Sequence, residues 1–424
     1  MAFLRSLFAG VSGLRNHQTM MDVIGNNIAN VNTVGFKRGR VTFSEVYAQT
    51  LRGAGRPFGE NGGTNPIQVG LGMSVSTVDT LFNQGTIETT DRPTDLAVQG
   101  IGFFVVNKDG RTMYTRDGSF AFDLNGRLVN PSTGAVVQGL LADPNGVVPA
   151  GIRLEDIVIN QDVTSPAKAT ENVQFGGNLD ASSDVYAAGP PPTGGLVNSS
   201  VSVFDSLGNQ IPLTLTFTKT ADNAWAWSAT TTDTSTGVQT PVGSGTVTFN
   251  TDGSLASATG TALSFTPSTG AAAMSVNLDF GTPGGLSGIT QTATRSLVTS
   301  RDQDGYTSGK LKDISIDAAG RVLGSFTNDK VQTLAQIMLA EFNNSGGLVR
   351  VGGNMYDISG NSGSPAIVSA GETSSIVPGA LEQSNVDLGD EFTKMITAQR
   401  GFQASARVIT TSDEFLQEIV NLKR

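Results

Sequence analysis

The chain has 424 residues, 38% hydrophobic and only 15% charged, with 52 glycines and no cysteine. That length exceeds one ordinary core and points to two or three domains, while the wealth of Gly, Ser and Thr suits short strands joined by turns. A net charge of −10 with a pI near 4.7 offers no basic face to nucleic acid; the missing cysteines exclude disulfides and thiolate metal sites; no run nears the roughly 18 apolar residues of a membrane span.

The first element reads as a long helix from Phe3 to about Asn32. Leu7, Leu14, Met21 and Ile28 recur every seven residues. With Val11 they form a narrow apolar stripe of the kind that faces a neighbouring helix. Gly10, Gly13 and Gly25 weaken this helix by about 1 kcal/mol each against Ala, so it needs packing from a partner. Arg5 and Arg15 interrupt every apolar run, leaving no room for a secretory leader. His17, the single histidine, reads as a polar face position rather than a metal ligand.

The run from Asn26 through Asn27, Asn30 and Asn32 to Gly35, Phe36 and Lys37 terminates the helix, with Gly35 free to turn left-handed. Residues 33–73, rich in Gly and Pro, read as an extended linker. From Ser74 the pattern alternates as strands do, with Asp-Gly or Asn-Gly turn signals at Asp109-Gly110, at Asp123 to Gly126 and at Asp317 to Gly320. Residues 74–162 and 301–383 therefore form one β domain. Between them, 163–300 read as an inserted β domain with its own core, in which Val201, Val203, Leu213, Leu215, Phe217, Trp225 and Trp227 alternate with polar residues.

A second helix follows, capped at Ser384 or Asn385, with Asp387 and Asp390 at its positive end and Lys423 and Arg424 at its negative end. Leu388, Met395, Phe402, Ile409 and Leu416 repeat the seven-residue interval, and Phe392 and Val420 add to the stripe. Chain ends 1–32 and 384–424 are thus expected to pair as an axial helical domain. The fold class is mainly β with α-helical termini, the helices forming a coiled-coil axial domain and the two β domains lying outside it in radial order. Asp302 with Asp304, or Asp91 with Asp95, offers the two carboxylates a glycosidase needs, yet such aspartates most often serve turns. No phosphate cradle is present, and neither cofactor nor catalysis is expected.

The segment Asn26-Asn27-Ile28-Ala29-Asn30-Val31-Asn32-Thr33-Val34-Gly35-Phe36-Lys37 and the closing Gln399-Arg400-Gly401-Phe402 resemble the bacterial flagellar axial proteins. Arg92-Pro93-Thr94-Asp95-Leu96 narrows the resemblance to the distal rod and hook branches. Asn65-Pro66-Ile67-Gln68 and the large Thr-rich insertion favour the hook, with the distal rod as alternative and a secreted carbohydrate-active protein further behind. The resemblance implies an extracellular subunit, exported through the flagellar type III apparatus without a cleaved signal, that polymerises with itself into a curved flexible tube, the two apolar helix stripes packing subunit against subunit. Implied partners are the distal rod, the hook cap, the hook-filament junction proteins and the hook-length control protein, with no nucleic acid and no membrane insertion.

Overall fold

Two long helices at the ends of the chain flank a middle built of β-strands. A computed structural model describes residues 2–57, 62–149, 151, 153–160, 162–189, 191–232, 237–371 and 373–421. The side chains of Phe3 and Leu4, and the whole of Lys423 and Arg424, lie outside the described residues.

Helix α1 spans Ala2–Ala29, stopping short of Asn32. Its last turn unwinds because the Asn30 amide is shared between the Asn26 and Asn27 carbonyls, at 3.2 Å each, while the Asn30 side chain also donates to the Asn26 carbonyl at 2.9 Å. Gly35, at φ +67°, then turns the chain. Helix α2 spans Leu388–Asn421, and its cap is Asp387 rather than Ser384 or Asn385. The Asp387 carboxylate accepts from the amides of Gly389 and Asp390 at 2.8 and 3.2 Å, satisfying donors that have no helical partner.

The expected linker is a correction. Gly39–Glu45 pairs antiparallel with Met73–Thr80, and Ala48–Arg52 with Ile67–Gly70, so residues 39–52 and 67–80 form a two-stranded ribbon. Glycine content suggested a linker, but β-branched residues zip it: Thr42 bonds Thr77 across the strands at 2.6 Å.

The chain divides into two compact units. The first comprises residues 1–160, 314–323 and 333–424, and the second 161–313 with 324–332. Helices and the first β domain therefore share one unit, and a boundary at residue 300 would cut the strand Leu297–Gln303.

In the first unit, strand Phe103–Lys108 sits centrally, pairing with Arg111–Thr115, Val136–Leu141 and Val331–Glu341. The Asp109-Gly110 turn has positive φ at both residues, which matches the twist of a tight hairpin. Phe103 is fully buried and packs edge-on to Phe82, Phe342 and Tyr356 at 5.3, 5.7 and 6.0 Å, a geometry that suits the ring quadrupole.

The second unit contains two five-stranded sheets. One is an antiparallel meander from Leu196 to Ala258. In the other, Asn172–Asp180 runs parallel to both Met274–Asp279 and Ile289–Thr292. Trp225 and Trp227 are buried, and Phe280 gathers Phe175, Phe217 and Trp227 at 5.6 to 5.9 Å.

One turn recurs through both units. Asp123, Asp143, Asp205 and Asp317 each accept two backbone amides, from the second and fourth residues onward, with Gly at the third. Asp205 is fully buried. Burial opposes its ionisation, yet bonds from Thr269, from the Asn209 side chain and from the Asn209 and Leu207 amides outweigh it and hold the carboxyl below its ordinary value. Its contribution is therefore present above the unfolded carboxylate range and lost as pH falls through the lowered value. Asp205→Ala should destabilise by about 1–3 kcal/mol at neutral pH. Urea midpoints at pH 7 and pH 3 should show the gap from the parent shrinking in acid.

Candidate assembly interface

The helices meet antiparallel along a stripe that is not the large apolar one. Ser6, Gly13, Met20 and Asn27 fall seven apart, as do Glu391, Ala398, Ser405 and Ser412. Ser6 bonds Ser412 at 3.2 Å and Asn27 donates to Glu391 at 2.9 Å. A Cβ on Gly13 would come within 2.6 Å of the Ser405 hydroxyl, and one on Gly10 within 3.0 Å of Ile409. Each step forward on α1 matches a step back on α2, which leaves Met20 level with the buried Ala398. The α1 glycines, which weaken an isolated helix, permit this approach.

Of the residues expected to pack subunit against subunit, Leu7, Leu14, Met21, Ile28, Met395, Phe402 and Ile409 are half-buried, and Val11, Leu388, Phe392, Leu416 and Val420 are exposed. Phe8 and Ile396, which the seven-residue count missed, are 68% and 53% exposed. Small residues thus join the two helices of one chain, and several of the largest apolar side chains point elsewhere.

His17 borders this seam. A Cβ on Gly401 would lie 2.5 Å from the His17 ring. Gly401→Val should therefore overpack the seam and destabilise α2 docking by about 1–3 kcal/mol. Gly13→Ala should be nearly neutral, since the Ser405 hydroxyl can rotate away and Ala favours the helix. Thermal melts followed at a helical band would separate the two.

The Asn-rich motif divides in the same way. The Asn27 amide bonds both the N–H and C=O of Gly39 at 2.8 Å and, with Glu391, is almost fully buried. Arg38 reaches Asp390 at 3.0 Å, and the Asn385 side chain bonds the Arg38 amide and the Leu81 and Asn83 carbonyls at 2.8 to 3.0 Å. Phe36 is buried beneath the Arg350 guanidinium, 5.2 Å from its ring. Gly35 leaves no room for a side chain, because a Cβ would lie 2.6 Å from the Asp117 amide. Asn26, Asn32, Gln399 and Arg400 are exposed.

Beneath this lies a charge cluster that the sequence did not disclose. Lys37 and Glu382 pair at 2.6 Å with both side chains inaccessible, and Arg116 meets the other Glu382 oxygen at 3.4 Å. Lys37 also donates to the Asn83 carbonyl at 2.9 Å, Arg116 to the Gly100 carbonyl at 2.7 Å, and the Gly85 amide to Glu382 at 2.8 Å. Burial pushes the Lys37 ammonium below its ordinary value, and Glu382 opposes that shift without cancelling it. The cluster ties the end of the Asn-rich motif to the strand before α2. These residues stand far apart in the chain, and no local pattern pairs them.

Three of the four aspartates considered for catalysis have structural partners. Asp304 accepts from the amides of Glu171 and Asn172 at 2.9 Å each, Asp302 from the Gln303 amide, and Asp95 from the Thr90 hydroxyl.

Four family models match the chain: Flagella basal body rod protein at 7–37, Flagellar hook protein FlgE/F/G D1 domain at 97–173, Flagellar basal body protein FlaE D2 domain at 178–306, and Flagellar basal body rod FlgEFG protein C-terminal at 377–422. Flagellar hook protein FlgE of Borreliella burgdorferi is 40% identical over 99% of this chain and all of its own length. The Salmonella typhimurium hook protein is 32% identical at the same coverage. Flagellar basal-body rod protein FlgG of Bacillus subtilis is 31% identical over 99% of this chain. The crystal structure of Helicobacter pylori hook protein FlgE2 aligns with TM-score 0.52 and 16% identity, over 70% of this chain and all of that one, a likeness of fold.

Proposed function

The chain belongs to the flagellar hook protein family, and on that footing we propose how it builds the hook. Subunits polymerise into a curved tube that joins rod to filament and bends while transmitting torque. The paired helices form the inner wall of that tube.

One observation carries the reading: the two helices satisfy each other through small residues and leave Phe8, Val11, Leu388, Phe392 and Ile396 exposed. Such side chains call for apolar cover, and heterologous contacts that do not close into a ring give a helical tube. The chain is exported through the flagellar type III apparatus, a route that the absence of cysteine from the sequence suits. It then meets the distal rod, hook cap and hook-filament junction proteins, and the hook-length control protein sets its extent. Electron microscopy of the polymerised chain tests the reading. Curved tubes are expected, straight rigid ones would return the distal rod assignment, and failure to polymerise would remove both.

A further inference from the structure

Among the exposed apolar side chains on the helices, Phe8 with Val11 on α1 and Phe392 with Ile396 on α2 form two separate patches, distinct from Val408, Phe415, Ile419 and Val420 toward the end of α2. On α1, Ser12 and Asn16 bond to Met73 of the ribbon, and Gly10 and Gly13 face α2. Phe8 and Val11, 68% and 39% exposed, lie on the remaining side. On α2, Glu391, Ala398, Ser405 and Ser412 face α1, and Phe392 and Ile396, 51% and 53% exposed, lie on the side turned away from it.

Because the helices are antiparallel, the patches occupy opposite ends of the pair as well as opposite faces. Gly10 lies against Ile409, so Phe8 and Val11 are level with that part of α2. From there to the midpoint between Phe392 and Ile396 is about 22 Å at 1.5 Å per residue.

We propose that copies of this chain dock head to tail through these patches, Phe8 and Val11 of one copy seating on Phe392 and Ile396 of the next, displaced about 22 Å along the helices. The inference rests on the self-assembly reading and specifies its contact. A two-fold contact of either patch with itself would close a dimer and leave the other patch bare. The heterologous contact covers both and leaves the assembly open-ended. Charge agrees with the register. The slide that brings Phe8 and Val11 onto Phe392 and Ile396 sets the exposed Arg15 level with the acidic start of α2, at the exposed Asp387 and at Asp390, which already pairs with Arg38 and Lys394. Each patch is a few side chains, below the roughly 1,000 Å² of a stable pairwise interface, so the contact holds only when repeated along a polymer.

The cysteine-free sequence allows a clean test. Val11→Cys copies and Ile396→Cys copies are polymerised alone and mixed, then exposed to a mild oxidant, because a disulfide needs Cα atoms within about 7 Å. Mixed tubes should yield dimer-mass species, each variant alone should stay monomeric on denaturing gels, and the double variant should give a ladder. Phe8→Cys with Phe392→Cys repeats the test should the first pair disturb assembly. Cross-linking of a single variant with itself would overturn the proposal, as would intact tubes in which neither pair cross-links. An unmodified chain that forms no tubes would instead refute the self-assembly reading, and this contact with it.

Discussion

Glu382→Gln should destabilise the first unit by about 3–5 kcal/mol, the cost of leaving a buried charge without its partner. The amide keeps the size of the side chain and can still accept from Gly85, but Lys37 and Arg116 then share an inaccessible site with no anion. A pH dependence should accompany the loss. Burial already lowers the Lys37 value, and without the carboxylate opposing it the folded value falls further. The unfolded chain then binds the proton more tightly than the folded one, so stability rises with pH between the lowered folded value and that of an unfolded lysine. Denaturant unfolding at pH 6 and pH 9 should show the variant's deficit shrinking at the higher pH. An unchanged midpoint would mean that water reaches the cluster. Asp390→Asn, at an exposed pair, should alter the midpoint little.

A chain ending at Val386 should keep both β units folded and form no tubes. The truncation retains Glu382, so the charge cluster stays complete, and Asn27 keeps both bonds to Gly39. It removes the whole small-residue stripe on α2 and with it the packing that a glycine-weakened α1 requires. Circular dichroism should retain its β signal and lose helix, while sedimentation should find only monomer. Tubes from this chain would show that the helices are dispensable for the inner wall. The cut matters: a fragment starting at Ser74 would lose Lys37 and leave Arg116 and Glu382 with an altered balance of charge.

The helices and tight hairpins were legible because each rests on neighbours in sequence: seven-residue spacing for α1 and α2, and Asp-Gly for the turn after Lys108. The stripe that joins the two helices within the chain was not foreseen, for a physical reason. A heptad states that some stripe faces a helix, not which one, and the largest apolar residues drew the assignment. Gly13 with Ser6, and Ser405 with Ser412, repeat at the same interval. That is the signature of close backbone approach, and reading small residues as a stripe would have found it. The ribbon at 39–52 and 67–80 was hidden by glycines near its tip, although Val41, Thr42 and Phe43 had strand character. The cluster of Lys37, Arg116 and Glu382 had no sequence signal, since only tertiary packing brings the three together.

Lys37 follows the first helix closely and Glu382 precedes the second by a few residues, so their 2.6 Å contact acts as a rivet where both helices leave the sheet. Little slack chain separates that rivet from either helix, with Asn27 and Asn385 fastening the intervening turns. Strain entering through one helix is therefore shared by the other at the same point before it reaches the strands. A subunit fastened in this way keeps its own two ends in register.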